Sequence, residues 1–290
     1  MRVLMFGWEF PPYISGGLGT ACFGLTRHMS EQGTEILFVL PHLKDEPEDS
    51  FVELIAANKL DVSEKRFRKI SKSETLKFFQ VDSPLRPYMN EQSYPAKRKA
   101  ATQGISERIS EITHRKTTPR SVLDMSGEYG RDLFSEVSRY AYIGGHLGAI
   151  EDFDIIHAHD WMTFPAGVEA KKASGKKLVI HVHATDFDRS GDNVNQQVYD
   201  IERYGMDKAD RIIAVSHRTK KIIVERYGQP PEKVTVIHNA VIKEKKLEHC
   251  RIRKSLNEKI VLFLGRVTMQ KGPDYFVEAA SLVLQQMQNV

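Results

Sequence analysis

Six short apolar runs, at residues 3–6, 35–40, 154–159, 177–183, 211–215 and 234–238, alternate with amphipathic segments at 18–31, 131–150, 164–173, 195–208 and 217–227. Short buried strands taken in turn with amphipathic helices can cover both faces of a parallel sheet, so the alternation predicts a doubly wound α/β domain. Gly33, Gly175 and Gly228 close three of the helix candidates, where a residue tolerant of left-handed backbone is favoured. The rhythm fails over 44–125, which is rich in Lys, Glu, Ser and Arg and carries the basic cluster Lys97, Arg98 and Lys99. That stretch reads as a surface insertion with helical candidates at 51–59 and 104–115 and one candidate strand at 76–81.

A charged run at 242–258 reads as a linker. A new unit then opens with the apolar run 260–264, Gly265 and Arg266, a loop to Gly272, and a helix started by Pro273 with Phe276, Ala280, Val283 and Met287 as its apolar positions. The expected organisation is a first domain over 1–241 with the insertion 44–125, a linker over 242–258, and an incomplete second domain over 259–290. One strand and one helix do not bury a core, so their apolar faces are expected to lie exposed and the chain alone is expected to be inactive.

Composition removes several function classes. With 41% hydrophobic and 28% charged residues, the 290-residue chain can bury a core and lacks a disorder-like composition. Cys22 and Cys250 stand alone, which argues against a disulfide framework or a thiolate zinc site and for a reducing cytoplasm. No apolar stretch approaches the ~20 residues that span a bilayer. The net charge of +4 suits a phosphate-bearing small ligand but is too diffuse for a nucleic-acid partner.

Chemistry concentrates after the strands. Following the first is Gly7-Trp8-Glu9-Phe10-Pro11-Pro12, then Ser15-Gly16-Gly17-Leu18-Gly19-Thr20 at a helix start, a cradle for phosphate or sugar or else a tight turn. Read from Gly17, the dinucleotide fingerprint puts Cys22 in its last slot, and the second strand ends Leu40-Pro41-His42 without the ribose-binding acid, which argues against a nicotinamide enzyme. Two H-x-H pairs, His157/His159 before Asp160 and His181/His183 before Ala184-Thr185-Asp186, place imidazoles on one face at strand C-terminal ends. A metal centre is the sharp reading of four histidines, but His157 and His181 read better as satisfied core or hydrogen-bonding groups, and no metal is expected. Asp160 is a catalytic candidate or a cap for the helix beginning near Thr163. Trp8 and Trp161 read as core or cleft-wall aromatics.

The opening segment with Ser15–Thr20, His157-Ala158-His159-Asp160-Trp161, the runs 209–216 and 233–239, and Gly265-Arg266 with Gln270-Lys271-Gly272 occur in one order. That order resembles the glycogen and starch synthases and their relatives among retaining GT-B glycosyltransferases. The resemblance implies two Rossmann-like domains facing a cleft and transfer of glucose from ADP-glucose or UDP-glucose to an α-1,4-glucan with retention, without a cofactor. It implies that Gly16 and Gly17 lie against the donor, that His183 contacts the transferred sugar with Asp160 beside it as catalytic groups, and that Arg266 and Lys271 pair with the diphosphate. By position alone those two cations could be solvated loop charges. Another saccharide or lipid-linked acceptor, or a nonenzymatic sugar- or nucleotide-binding fragment, is the alternative. Departures are Ile14, where bacterial glycogen synthases carry lysine, the stretch from His183 to Arg189, and the lack of an E-x7-E motif.

Overall fold

A computed structural model describes residues 1–11, 16–42, 52–57, 133–240 and 259–287. Seven parallel strands form one sheet: β1 (Arg2–Phe6), β2 (Glu35–Leu40), β3 (Glu53–Ala56), β4 (Ile155–His159), β5 (Lys177–Val182), β6 (Arg211–Ala214) and β7 (Val234–Val236). Their order across the sheet is β3-β2-β1-β4-β5-β6-β7. The strand order therefore reverses between β1 and β4, and a crevice opens beyond the C-terminal ends of strands at such a reversal. This is the doubly wound, GT-B-type Rossmann-like sheet that the apolar rhythm predicts.

Period two along each strand sorts the core into two layers. Val3 and Met5 of β1 face α1 (Gly17–Glu31) together with Phe38, Leu40 and Cys22. Leu4 and Phe6 face the opposite layer, built from α2 (Leu133–Ile150), α3 (Phe164–Ser174), α5 (Gln196–Lys208) and α6 (His217–Tyr227). Helix α2 is buried along most of its length because it runs against α3. Gly144 and Gly148 permit that approach: a Cβ there would lie 2.3 Å from the Ala166 carbonyl oxygen and 2.6 Å from that of Ala170.

Three local expectations change. Residues 51–59 were expected as helix, but Glu53–Ala56 is the edge strand β3, in register with Leu37 to Leu40 of β2. Parallel pairing satisfies its backbone and overrides the helical propensity of Glu, Leu and Ala. A short helix, α4 (Asp186–Ser190), was not expected; it is nucleated by a capping box in which Thr185 and Asp188 exchange hydrogen bonds. The run 260–264 was expected as a strand, yet it forms no strand pairing among the described residues and Leu264 is 90% exposed. A strand without a neighbour leaves its backbone groups to water.

Helix α7 (Pro273–Leu284) forms with proline in its first turn, as its sequence predicts. Phe276 packs on Phe263 at 5.4 Å between ring centroids, while Tyr275, Val277, Leu282 and Leu284 are exposed. The candidates at 76–81 and 104–115, the basic cluster at Lys97 to Lys99 and the linker 242–258 lie outside the described residues. No helix among the described residues is long and apolar enough to cross a membrane.

Candidate functional site

Three strands deliver the site. At the end of β4 the chain turns at Asp160, whose φ of +60° is unusual for a residue with a side chain. The turn is tied down at both ends: the Asp160 N–H donates to the His181 carbonyl at 3.0 Å, and its own carbonyl accepts the Thr163 N–H at 3.0 Å. Asp160 does not cap α3 with its side chain. Its Oδ1 instead accepts the backbone N–H of His183 at 2.7 Å and that of Ala184 at 3.4 Å, and its Oδ2 faces Arg189 at 3.7 Å. The carboxylate of one strand end thus fixes the loop that follows the next. Burial raises the Asp160 carboxyl to about 6 against the opposing pull of Arg189 and the two N–H donors.

Arg189, on α4, links this turn to the core. It donates to Glu202 Oε1 at 3.2 Å and to the Ala184 carbonyl at 3.0 Å, and the Tyr227 hydroxyl donates to Glu202. Burial pushes Glu202 up to about 7, with Arg189 and the Tyr227 hydroxyl pulling down. The network is a brace behind the 183–190 loop.

His183 is half-buried at the end of β5. Its Nε2 lies 3.0 Å from His159 Nδ1, and its Nδ1 lies 3.4 Å from the Asn239 side-chain amide. All four strand-end histidines sit well below the ordinary imidazole range. Burial, followed by neighbouring imidazoles, lowers His157 and His183 to about 3, and the same causes hold His159 and His181 well below the usual imidazole value. At neutral pH they are uncharged hydrogen-bonding groups. The expectation that His157 and His181 are buried is met, but the expectation that they are satisfied is not: His157 Nε2 and both ring nitrogens of His181 have no hydrogen-bond partner.

The glycine-led helix start lies beside these groups. Gly16 is the N-cap of α1 and has no side chain to cap it; the N–H groups of a helix's first turn suit an anion. Cys22, just over a turn into α1, brings its sulfur within 4.8 Å of ring nitrogens of His159 and His183. Arg266 reaches the same helix start, its Nη2 3.2 Å from where a Gly16 Cβ would stand. A Cβ at Gly16 would sit tight against that guanidinium, which would have to give by a few tenths of an ångström, whereas a Cβ at Gly17 meets nothing within 4 Å. Lys271 is exposed at the end of the short 3-10 turn Met269–Lys271, whose Met269 Cε lies 3.4 Å from where a Gly191 Cβ would stand. Asp160 and His183 are therefore joined by a hydrogen bond, and Arg266 lies beside Gly16. Trp8 and Trp161 are buried aromatics, against Tyr140 and Phe134 respectively.

Sequence reasoning missed Arg189, Cys22 and Asn239 as neighbours of the site. The capping box at Thr185 was the available signal for α4 and hence for Arg189; nothing local marks the other two.

A family profile described as Glycosyltransferase Family 4 matches residues 110–245. An uncharacterized glycosyltransferase of Methanocaldococcus jannaschii is 25% identical over 98% of this chain and 60% of its own length. A D-inositol 3-phosphate glycosyltransferase of Catenulispora acidiphila is 28% identical over 49% of this chain and 37% of its own length. A glycogen synthase of Mycobacterium tuberculosis is 21% identical over 94% of this chain and 56% of its own length. This chain thus spans less than two thirds of each of these relatives. Among solved structures, TarM superimposes with a TM-score of 0.55 at 13% identity, over 100% of this chain and 70% of that one, a likeness of fold.

Proposed function

We propose that the chain carries the donor-facing side of a retaining glycosyltransferase that moves glucose from ADP-glucose or UDP-glucose to the non-reducing end of an α-1,4-glucan. The observation supporting this reading best is that α1, with Arg266 beside its Gly16 start, brings Cys22 to an uncharged His183 held through its backbone by Asp160. His183 suits a sugar hydroxyl; Arg266 suits a diphosphate. In such a transfer the bond from the anomeric carbon to the diphosphate breaks, a bond to the acceptor hydroxyl forms, and the hydroxyl proton passes to the departing phosphate oxygen. Negative charge builds on the leaving group. Arg266, Lys271 and the N–H groups at Gly16 and Gly17 stabilise it, so the step calls for neither a divalent ion nor a cofactor.

Asp160 acts in this reading as a positioning residue, because its Oδ1 is engaged by the loop that carries His183. A cytoplasmic location belongs to the same proposal and fits the buried free thiol of Cys22. Another acceptor is the second reading, favoured by the likeness to an inositol-phosphate glycosyltransferase alongside that to a glycogen synthase.

The test is steady-state kinetics in a polypeptide that carries a complete second domain. His183→Ala is expected to lower kcat about 10²-fold with the fold intact. Neutralising Arg266 or Lys271 is expected to lower kcat at least as much as donor affinity. Effects confined to acceptor KM would reject these roles.

A further inference from the structure

The unpartnered imidazoles on β4 and β5 are not used by the transfer reading. His157 and His159 alternate on one face of β4, and His181 stands opposite His159 in the β4–β5 register. They are 7%, 0% and 3% exposed. A neutral imidazole carries one donor and one acceptor nitrogen, and each buried group left without a partner costs on the order of 1–3 kcal/mol. Here His157 Nε2, His159 Nε2 and both nitrogens of His181 are all without one. One nitrogen from each of the three rings lies within 4.8 Å of the others.

We propose that His157, His159 and His181 form a buried three-imidazole site for a divalent transition-metal ion of the zinc class. The donor set is nitrogen only, which suits zinc and disfavours the oxygen-seeking Mg²⁺ and Ca²⁺. Zinc–nitrogen bonds of about 2.0–2.1 Å would draw the three rings together by small side-chain rotations and leave a fourth position open. A neighbouring group, Cys22 with His159 and His183, shares His159. It is the poorer site, because His159 Nδ1 and His183 Nε2 already share a hydrogen at 3.0 Å that an ion would displace. A three-histidine site that uses the unpartnered nitrogens, Nε2 of His157 and of His159 and either nitrogen of His181, displaces no hydrogen bond.

The ion has a consequence at His183. With His159 Nε2 bound to metal, the His159 hydrogen resides on Nδ1 and is donated to His183 Nε2. His183 then carries its own hydrogen on Nδ1, toward Asn239, whose amide must present its oxygen. The metal would set which tautomer His183 offers. The site itself does not rest on the transfer reading, and its test uses no substrate.

The 290-residue chain, stripped with chelator and desalted, is titrated with ZnCl₂ by calorimetry and with CoCl₂ by visible absorption. One equivalent at micromolar or tighter Kd, tetrahedral-type cobalt bands and a rise in Tm with zinc are expected. His181→Leu and His157→Leu, checked for fold by circular dichroism, are each expected to weaken binding at least 100-fold. Both replace a buried unpaired ring with an apolar side chain, so they are expected to fold; if one does not, the other decides. Cys22→Ser is expected to bind within a few-fold of wild type, His183→Ala, which removes the acceptor of the His159 Nδ1 hydrogen, is expected to lose no more than about 10–100-fold, and ¹⁵N imidazole shifts of His183 are expected to move to the Nδ1–H tautomer on zinc addition. Absence of binding overturns the proposal, as does binding retained in His181→Leu and His157→Leu but lost in Cys22→Ser and His183→Ala. Undiminished binding in all four variants, the signature of scattered surface histidines, overturns it as well.

Discussion

At Asp160 a left-handed backbone, which costs a non-glycine residue on the order of 1–2 kcal/mol, is held because its carboxylate ties two strand ends together. Asp160→Asn keeps the shape but can turn a donor toward the His183 N–H; it is expected to lower kcat more than tenfold with donor KM little changed, read by steady-state kinetics. Glu202 gives a second prediction. Its carboxyl is raised from 4.5 to about 7 by burial, so between those values the folded state holds a proton that the unfolded state has released. Stability from this group is therefore full below pH 4.5 and is lost as pH rises through 7, by a few kcal/mol as an order of magnitude. Glu202→Gln is expected to remove that loss, so that the stability difference between variant and wild type shifts in the variant's favour from pH 5 to pH 8. Urea midpoints at the two pH values check it, and an unchanged difference contradicts it. The H-x-H pairs and Asp160 were legible because each sits in a strand-end pattern. Arg189 and Glu202 were not, because 13 residues and a turn separate them and only the fold brings them together.

Among the elements, the α2–α3 crossing is the most sterically exacting. Gly144→Ala and Gly148→Ala push a methyl into backbone carbonyls that cannot move aside, and each is expected to destabilise by roughly 1–3 kcal/mol. Gly24→Ala, on α1 with nothing within 4 Å of its Cβ, is expected to stabilise by roughly 0.5–1 kcal/mol. Thermal melts of the three variants separate packing from propensity; equal effects would contradict the crossing. Period and turn chemistry made β1, β2, β4 to β7 and the five long helices before residue 240 legible in the sequence. The edge strand β3 was not, because a four-residue segment with helical composition becomes a strand only when β2 is there to pair with it. The run 260–264 failed in the opposite sense: its strand composition has no partner among the described residues.

At the scale of the whole molecule, 133–240 and 259–287 differ in what they bury. The first supplies most of the larger core, whereas Ile260, Val261, Leu262 and Leu264 are 60–90% exposed. Limited proteolysis is expected to cut within 259–287 before it cuts within 133–240, and the exposed apolar run is expected to promote association that rises with concentration. The second stretch still comes up to the proposed site, with Arg266 beside Gly16 at the start of α1 and Met269 beside Gly191 of the first. Transfer needs the donor enclosed from both sides of its crevice, with water excluded. The deciding measurement is incorporation of labelled glucose from ADP-glucose and UDP-glucose into glycogen, by the 290-residue chain and by a polypeptide carrying a complete second domain, each with and without His183→Ala. The account predicts no transfer by the shorter chain, transfer by the longer one from at least one donor, and a loss of about 10²-fold on replacing His183. No incorporation by the longer polypeptide, or full activity without His183, would contradict it.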